Sequence, residues 1–352
     1  ATLVGVDGTA GDDGVRRAGG SPPDPFDALV QAARGVLILA GLVATAPVAA
    51  TLVLRQTEIG RPKVVAYVAG TPFVVLAGVA AAVLFLLARA WWGVAVAGVL
   101  TVVLALTQVP LFLGSALPEG PTTTLTVMTL NLHRGDGDAG EVLGLVRGHD
   151  VDLLALEELT PEFEQELRDL GIAELLPYTT STPTAGTHGN GLWSRAPLRP
   201  LNTPSGFRHP PVAATMDLDG VEVFVAAVHP LSPFPADADR WVQELDLLRE
   251  WLGAVDGLGI VGGDFNSTLD HRGFRDILAT GYRDAGEQAG VGFVLTYPSN
   301  RRRIPALIGI DHVISRGGIV ATGVERIDVT GSDHAALIAT LVVPTGLGAT
   351  VP

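Results

Sequence analysis

Cysteine is absent. Disulfides, thiolate zinc sites and cysteine nucleophiles are therefore excluded. The same absence leaves an extracytoplasmic location open, because an exported domain need not carry disulfides. Positive charge is also scarce. Lys63 is the only lysine, and 23 Lys and Arg stand against 37 Asp and Glu, a formal net charge of −14. Through residue 121 acidic and basic residues balance at seven each, so all the excess negative charge lies in residues 122–352. A segment of that charge repels a polyanion over long range, which argues against tight non-specific nucleic-acid binding. Arg301-Arg302-Arg303 is the one dense basic run. No internal repeat is present.

Charge of either sign is nearly missing from residues 35–116, and this stretch accounts for the positive mean hydropathy. It divides into three apolar runs, about 35–54, 64–88 and 91–116, punctuated by Arg55, Lys63 and Arg89. A run of about 20 residues at roughly 1.5 Å rise spans the roughly 30 Å of a bilayer core, so three transmembrane helices are expected. Trp91 and Trp92 beside Arg89 suit an interfacial anchor. Residues 1–34 are rich in Gly, Asp and Pro and read as a flexible tail. Residues 117–121 read as a linker, and 346–352 as a C-terminal tail. Basic residues flank the first two runs, and none follows the third until Arg134. That asymmetry places residues 122–352 on the extracytoplasmic face of an integral cell-membrane protein.

From residue 122 the pattern changes to short β-rich runs separated by Gly, Pro and Asp turns. Strands are expected at 125–130, 151–156, 191–194, 212–218, 221–228, 258–261, 311–315 and 335–343, and helices at 139–147, 161–170 and 237–252. Helices interleave with strands, and several strands adjoin directly. This favours an α/β or α+β sandwich with mixed sheets.

Polar residues recur where the apolar runs stop. Asn131, Glu158, His229, Asp264 with Asn266, and Asp311 each follow a run, and Asp333-His334 precedes the last. In an extended segment residues i and i+2 point the same way, so Asp264 and Asn266 are expected to face one site, with Phe265 turned into the core. The oxygen-bearing residues Asn131, Glu158, Asp264, Asn266 and Asp333 suit Mg²⁺, Mn²⁺ or Ca²⁺ better than zinc. His229 and His334 offer proton transfer or a hydrogen bond to a phosphoryl oxygen. Singly, each has a plainer reading. Asp264 and Asn266 fit an Asx-type turn, and Glu157-Glu158 fit the acidic start of a helix near Pro161. Joint occurrence shifts the balance toward a phosphoryl site.

The motif order resembles the endonuclease/exonuclease/phosphatase family, the superfamily of DNase-I-like nucleases, inositol-phosphate phosphatases and bacterial sphingomyelinases. Met128-Thr129-Leu130-Asn131, Leu154-Ala155-Leu156-Glu157-Glu158, Gly189-Asn190-Gly191-Leu192-Trp193-Ser194-Arg195 and Ala227-Val228-His229-Pro230-Leu231 match in order. So do Gly262-Gly263-Asp264-Phe265-Asn266, Ile310-Asp311-His312-Val313 and Gly331-Ser332-Asp333-His334. The resemblance covers about residues 122–345. It implies a four-layer sandwich of two mixed β-sheets flanked by helices, and a metal-dependent phosphoric ester hydrolase using Mg²⁺, with Mn²⁺ or Ca²⁺ as alternatives. It implies Glu158 as main metal ligand beside Asn131, with Asp333 nearby. Asp264 would position or deprotonate the attacking water, and His229 and Asn266 would hold the scissile phosphate. His334 would contact phosphate or transfer a proton, oriented by Asp311. Asn190 and Arg303 are candidate substrate contacts. Glu157 stands where the family usually has Gln, and His312 where an aromatic is frequent. Neither departure removes a ligand.

Three spans before an outward-facing domain are similar to the membrane-anchored actinobacterial branch of that family, the VanJ-type teicoplanin-resistance proteins. Anchoring brings the site near lipid headgroups, so the expected substrate is a lipid-linked or other extracytoplasmic phosphate ester. A surface nuclease is the alternative, with Arg301–Arg303 as a local phosphate grip against an unfavourable charge. A non-catalytic membrane binding module is the third reading, and the complete polar set argues against it.

Overall fold

The computed structural model of this chain describes residues 24–235, 237–301 and 304–345. Helix α1 spans Pro25–Leu54. Asp24 caps it by accepting from the Phe26 N–H at 2.9 Å, and Pro25 supplies a preset φ at the first position. The helix thus begins inside the stretch expected as tail, while residues 1–23 lie outside the described residues. The second expected span is broken. Helix α2 (Pro62–Ala69) and α3 (Thr71–Leu87) meet at a 70° bend across Gly70, just before Pro72, which lacks an N–H. Helix α4 covers Trp91–Leu106 and gives way to a 3₁₀ turn at Val109–Phe112, short of the expected residue 116. By length and composition α1 can cross a membrane, as can α2 and α3 if the bent pair is one span. Ala81, Phe85 and Ala97 pack at the centre of this bundle. Leu39, Val43, Leu76, Leu87, Val99 and Leu106 remain exposed.

The rest alternates strands and helices. In order they are β1 (Thr122–Asn131), α5 (Ala139–Gly148), β2 (Leu153–Glu157), α6 (Pro161–Asp169), β3 (Tyr178–Thr182), β4 (Asn190–Ser194), β5 (Leu198–Leu201), β6 (Val212–Leu218) and β7 (Val221–Val228). Then come α7 (Ala238–Gly253), β8 (Leu258–Asp264), α8 (Arg272–Leu278), β9 (Arg283–Asp284), α9 (Ala285–Ala289), β10 (Asp311–Arg316), β11 (Val320–Asp328) and β12 (Ala335–Pro344).

Two six-stranded mixed sheets form, ordered β11-β12-β1-β2-β4-β3 and β5-β6-β7-β8-β10-β9. Alternation sends one side of each strand into the space between the sheets. Val127, Leu153, Val225, Ile260, Val313 and Leu341 fill it. The opposite side of the first sheet carries α5 and α6 through Val142, Val146, Phe163 and Leu167. The second carries α7 and α8 through Trp241, Leu245, Leu248 and Phe274. Helix, sheet, sheet and helix make the four-layer sandwich expected from the sequence.

Strands β3, β5, β9 and β11 have no counterpart in the sequence expectations, and they are the four sheet edges. An edge strand is paired and covered less completely, so it needs no continuous apolar run. The sequence Tyr-Thr-Thr-Ser-Thr of β3 shows this.

Candidate active site

Strand direction brings the polar residues to one rim. Strands β1 and β2 run parallel and end together at the register partners Asn131 and Glu157. Strands β7 and β8 also run parallel, with Val228 beside Gly263, so His229 and Asp264 emerge together. Strand β10 is antiparallel to β8 and opens with Asp311 opposite Asp264. Strand β12 is antiparallel to β1 and starts at Ala335, which puts His334 at the same end. Two glycines let the sheets close there. A side chain at Gly262 would press on Thr129 and Ala155 of the other sheet, and one at Gly263 would strike the Val228 carbonyl.

The rim is strained as well as polar. His133, Arg134, Glu158 and Asn266 take φ of 48°, 61°, 53° and 49°. Each such residue costs about 1–3 kcal/mol and persists because its surroundings over-determine it.

Asp264 is the hub. Asn131 Nδ2 donates to its Oδ2 at 3.1 Å, and the Asn266 N–H donates to its Oδ1 at 2.8 Å. His229 Nε2 and His334 Nε2 stand 3.5 and 3.7 Å from Oδ2. The two Asp311 carboxylate oxygens lie 2.9 and 3.0 Å from His334 Nδ1. The imidazole is therefore clamped at Nδ1 and presents Nε2 to Asp264, with Asp333 at 3.9 Å. The Tyr297 ring packs on His334 at 4.8 Å. Asn266 Nδ2 donates to the Pro230 carbonyl at 3.0 Å, beside His229, and Phe265 is fully buried.

Burial opposes charge on His334, but Asp311 and Asp264 outweigh it and push the imidazole up to about 10. Burial lifts Asp264 to about 7, against the pull of the His334 charge. His229 is driven well below its ordinary value, by burial first and by His209 and His334 next, and stays neutral. His209, unnoticed in the sequence, stacks on His229 at 4.4 Å and donates from Nδ1 to its carbonyl at 3.0 Å. One cationic and one neutral histidine thus flank the same carboxylate.

Glu158 stands half-buried beside Asn131 and accepts the Arg134 N–H at 2.7 Å. Burial raises it above its ordinary value, against the Arg134 N–H, Asn131 and His334, and a neighbouring cation would offset that burial. A hard cation meets that need, and Asn131 and Asp333 add oxygen donors of the right kind. Asp264, Asp311 and His334 also bring one ligand atom each within 4.8 Å of one another. Within that trio Asp311 is already engaged at His334 Nδ1. The Glu158 side also offers oxygen donors of the kind a hard cation takes.

Glu157, the register partner of Asn131, is fully buried against the Thr129 hydroxyl at 3.1 Å. Burial, with Asp311 and Asp264 nearby, raises it well above the usual carboxylate range. His312 turns away from the rim, as alternation requires, and joins Asp284 at 2.8 Å to the Ser267 carbonyl at 2.9 Å. Asn190 is buried at the start of β4, where it donates to the Pro210 carbonyl at 2.8 Å. It shares no hydrogen bond with the Asp264 cluster among the described residues. Arg303 lies outside the described residues. Ser332 is a further addition. Its hydroxyl donates to the Asn131 carbonyl at 2.6 Å and accepts the His334 N–H at 2.9 Å, tying the two motifs together. Its place before Asp333-His334 was the only signal for it.

Two mixed sheets flanked by helices, with carboxylates and histidines gathered on one rim, make a DNase-I-like sandwich of the phosphoesterase type. Residues 128–334 match the Endonuclease/Exonuclease/phosphatase family, and the chain belongs to it. Among similar solved structures is TDP2 of D. rerio complexed with single strand DNA product. It has a TM-score of 0.52 and 16% identity, with 62% of this chain and 99% of that chain covered. An AP endonuclease from Archaeoglobus fulgidus has a TM-score of 0.50 and 16% identity, with 61% and 98% covered. At these identities the likeness is one of fold. No curated protein sequence matches the chain.

Proposed function

We propose that the chain is a membrane-anchored, divalent-metal-dependent phosphoesterase that hydrolyses a phosphate ester by in-line attack of water. The observation carrying this reading is the clamped His334, held by Asp311 on one side and facing Asp264 on the other. Asp264, buried and lifted toward neutrality, orients the water and accepts its proton. His334, already cationic, donates from Nε2 to a phosphoryl oxygen. Neutral His229 and the second N–H of the Asn266 amide complete the donor set. The phosphorus–oxygen bond to the leaving group breaks as the bond to water forms, with no covalent enzyme intermediate. Glu158, Asn131 and Asp333 would hold Mg²⁺, with Mn²⁺ or Ca²⁺ suited to the same oxygens. When bound, the cation neutralises charge developing on the phosphoryl group.

The exposed apolar surfaces of α1, α3 and α4 support anchoring, and the arginine asymmetry supports an extracytoplasmic catalytic domain, as in VanJ-type proteins. A lipid-linked phosphate is then the nearest substrate. Nucleic acid is the second reading. A fold neighbour was solved with a single strand DNA product, but the charge of −14 counts against it.

The test assays purified full chain and Mg²⁺ against plasmid DNA, bis-p-nitrophenyl phosphate, p-nitrophenyl phosphate, sphingomyelin and undecaprenyl pyrophosphate. Turnover that EDTA removes, on a lipid or small ester and not on DNA, is expected. Turnover insensitive to EDTA, or none on any substrate, would defeat the proposal.

A further inference from the structure

Three consecutive residues at the start of β10 hold two separate parts of the site. The Ile310 carbonyl accepts the Phe265 N–H at 2.9 Å, just before Asn266. The Asp311 carboxylate clamps His334. His312, on the other side of the strand, meets the Ser267 carbonyl through Nε2 at 2.9 Å, just after Asn266. Asn266 therefore sits between two anchors of one origin. Its φ of 49° is a left-handed conformation that persists only where the surroundings enforce it. The Ser267 hydroxyl is buried without a partner, so the bond to His312 is the one hydrogen bond Ser267 makes among the described residues.

That contact depends on the chemistry of histidine. His312 Nδ1 lies 2.8 Å from Asp284 Oδ2. A carboxylate and a carbonyl both accept, so the ring satisfies them together only with a proton on each nitrogen. Burial opposes this imidazolium, but the hydrogen bond and charge of Asp284 outweigh it and raise His312 above its ordinary value. Asp284 is fixed in turn, because its Oδ1 accepts the Glu287 N–H at 3.0 Å at the start of α9. The ring packs on Phe274 at 4.3 Å and on Phe265 at 5.9 Å. A phenyl group could keep that packing, but it would leave the Ser267 carbonyl without its donor.

We propose that His312 is a positioning residue for the phosphoryl site. Paired with Asp284, it fixes the backbone from which Asn266 presents its amide, and so ties Asn266 to the strand that orients His334. It touches no substrate. The inference rests on the phosphoesterase reading for the chemistry that Asn266 serves, while the hold on the loop is independent of that reading.

Two measurements on the full chain test it, with His312→Phe and His312→Gln. Phenylalanine keeps a ring and removes both donors, whereas glutamine returns one N–H near the position of Nε2. The first measurement is steady-state hydrolysis of bis-p-nitrophenyl phosphate with Mg²⁺. In His312→Phe kcat should fall by about 10–100-fold with KM within a few fold, and His312→Gln should recover most of the loss. The second is amide hydrogen exchange of the metal-free protein, where turnover plays no part. Exchange at Asn266 and Thr268 should quicken by at least about tenfold in His312→Phe, less in His312→Gln, and not in β1 or β4. If His312→Phe does not fold, Asp284→Asn takes its place, with the same direction expected in both measurements. Selective loosening of the loop without turnover in wild type would keep the positioning role and remove the phosphoesterase reading. Unchanged exchange at Asn266 and Thr268, a uniform rise across the domain, or an unchanged kcat in the folded variant of an active protein would overturn the proposal.

Discussion

At the level of single residues, Asp311 does its work through His334. It fixes which imidazole nitrogen faces Asp264 and raises the affinity of the ring for its proton. Asp311→Asn keeps the shape and removes the charge, so kcat should fall by about 10²–10⁴ while KM changes little. Steady-state kinetics of the variant, with its folding checked by circular dichroism, reads this. Glu157 makes the opposite prediction. Its carboxyl is buried against Thr129, and that burial favours the neutral form, which an amide resembles. Glu157→Gln should retain activity within a few fold, and a loss beyond about 10² would give Glu157 a role in the chemistry. These residues differ in how far the sequence disclosed them. Asp264, His334 and Asp311 were legible because each ends or starts an apolar run, where a charged or titratable side chain stands out. Ser332, Tyr297 and His209 were not, because a hydroxyl, a ring in a loop and a histidine between prolines and glycines carry no period.

At the level of elements, the central strands were readable and the edges were not. Strands β6 and β7 match their expected limits of 212–218 and 221–228 because buried Val212, Ala214, Met216, Val223, Val225 and Ala227 recur along them with a period of two. Strands β5 and β11 are held by one neighbour each, so their sequences are free to vary. The break at Gly70 was hidden for a related reason, since hydropathy records apolar length and not direction. The junction it creates is polar and buried. Arg55 pairs with Asp270 at 2.7 Å with both side chains nearly inaccessible, and His271 Nε2 donates to the Val65 carbonyl at 2.9 Å. Asp270→Ala leaves Arg55 buried without its partner and should destabilise the chain by about 3–5 kcal/mol in thermal or denaturant unfolding.

The junction should also be acid-sensitive. Burial lowers His271 from 6.5 to about 4, and His209 likewise. A depressed histidine contributes stability that is full above its unfolded value of 6.5 and is lost as pH falls toward 4. Melting temperature should therefore drop between pH 6.5 and pH 4, and His271→Gln should soften the drop. A melting temperature flat across that window would show that His271 is not held neutral.

For the whole molecule, the separation of a nearly uncharged helical part from an acidic catalytic part was plain from composition. Two expectations follow from it. A reporter fused after residue 345 should be active only outside the cytoplasm, and a fusion active only inside would reverse the topology. Plasmid DNA should remain intact at physiological salt, because the catalytic domain supplies no net positive field.

The central claim is that His334, Asp264 and Glu158 form a metal-assisted phosphoester-hydrolysing centre. Its most direct test is nitrophenolate release from bis-p-nitrophenyl phosphate by purified full chain, with Mg²⁺ and after EDTA, for wild type, His334→Ala and Glu158→Ala. Release by wild type that EDTA abolishes and Mg²⁺ restores, and that both folded variants lack, is the expected result. Release of equal rate in either variant, or unaffected by EDTA, would contradict it.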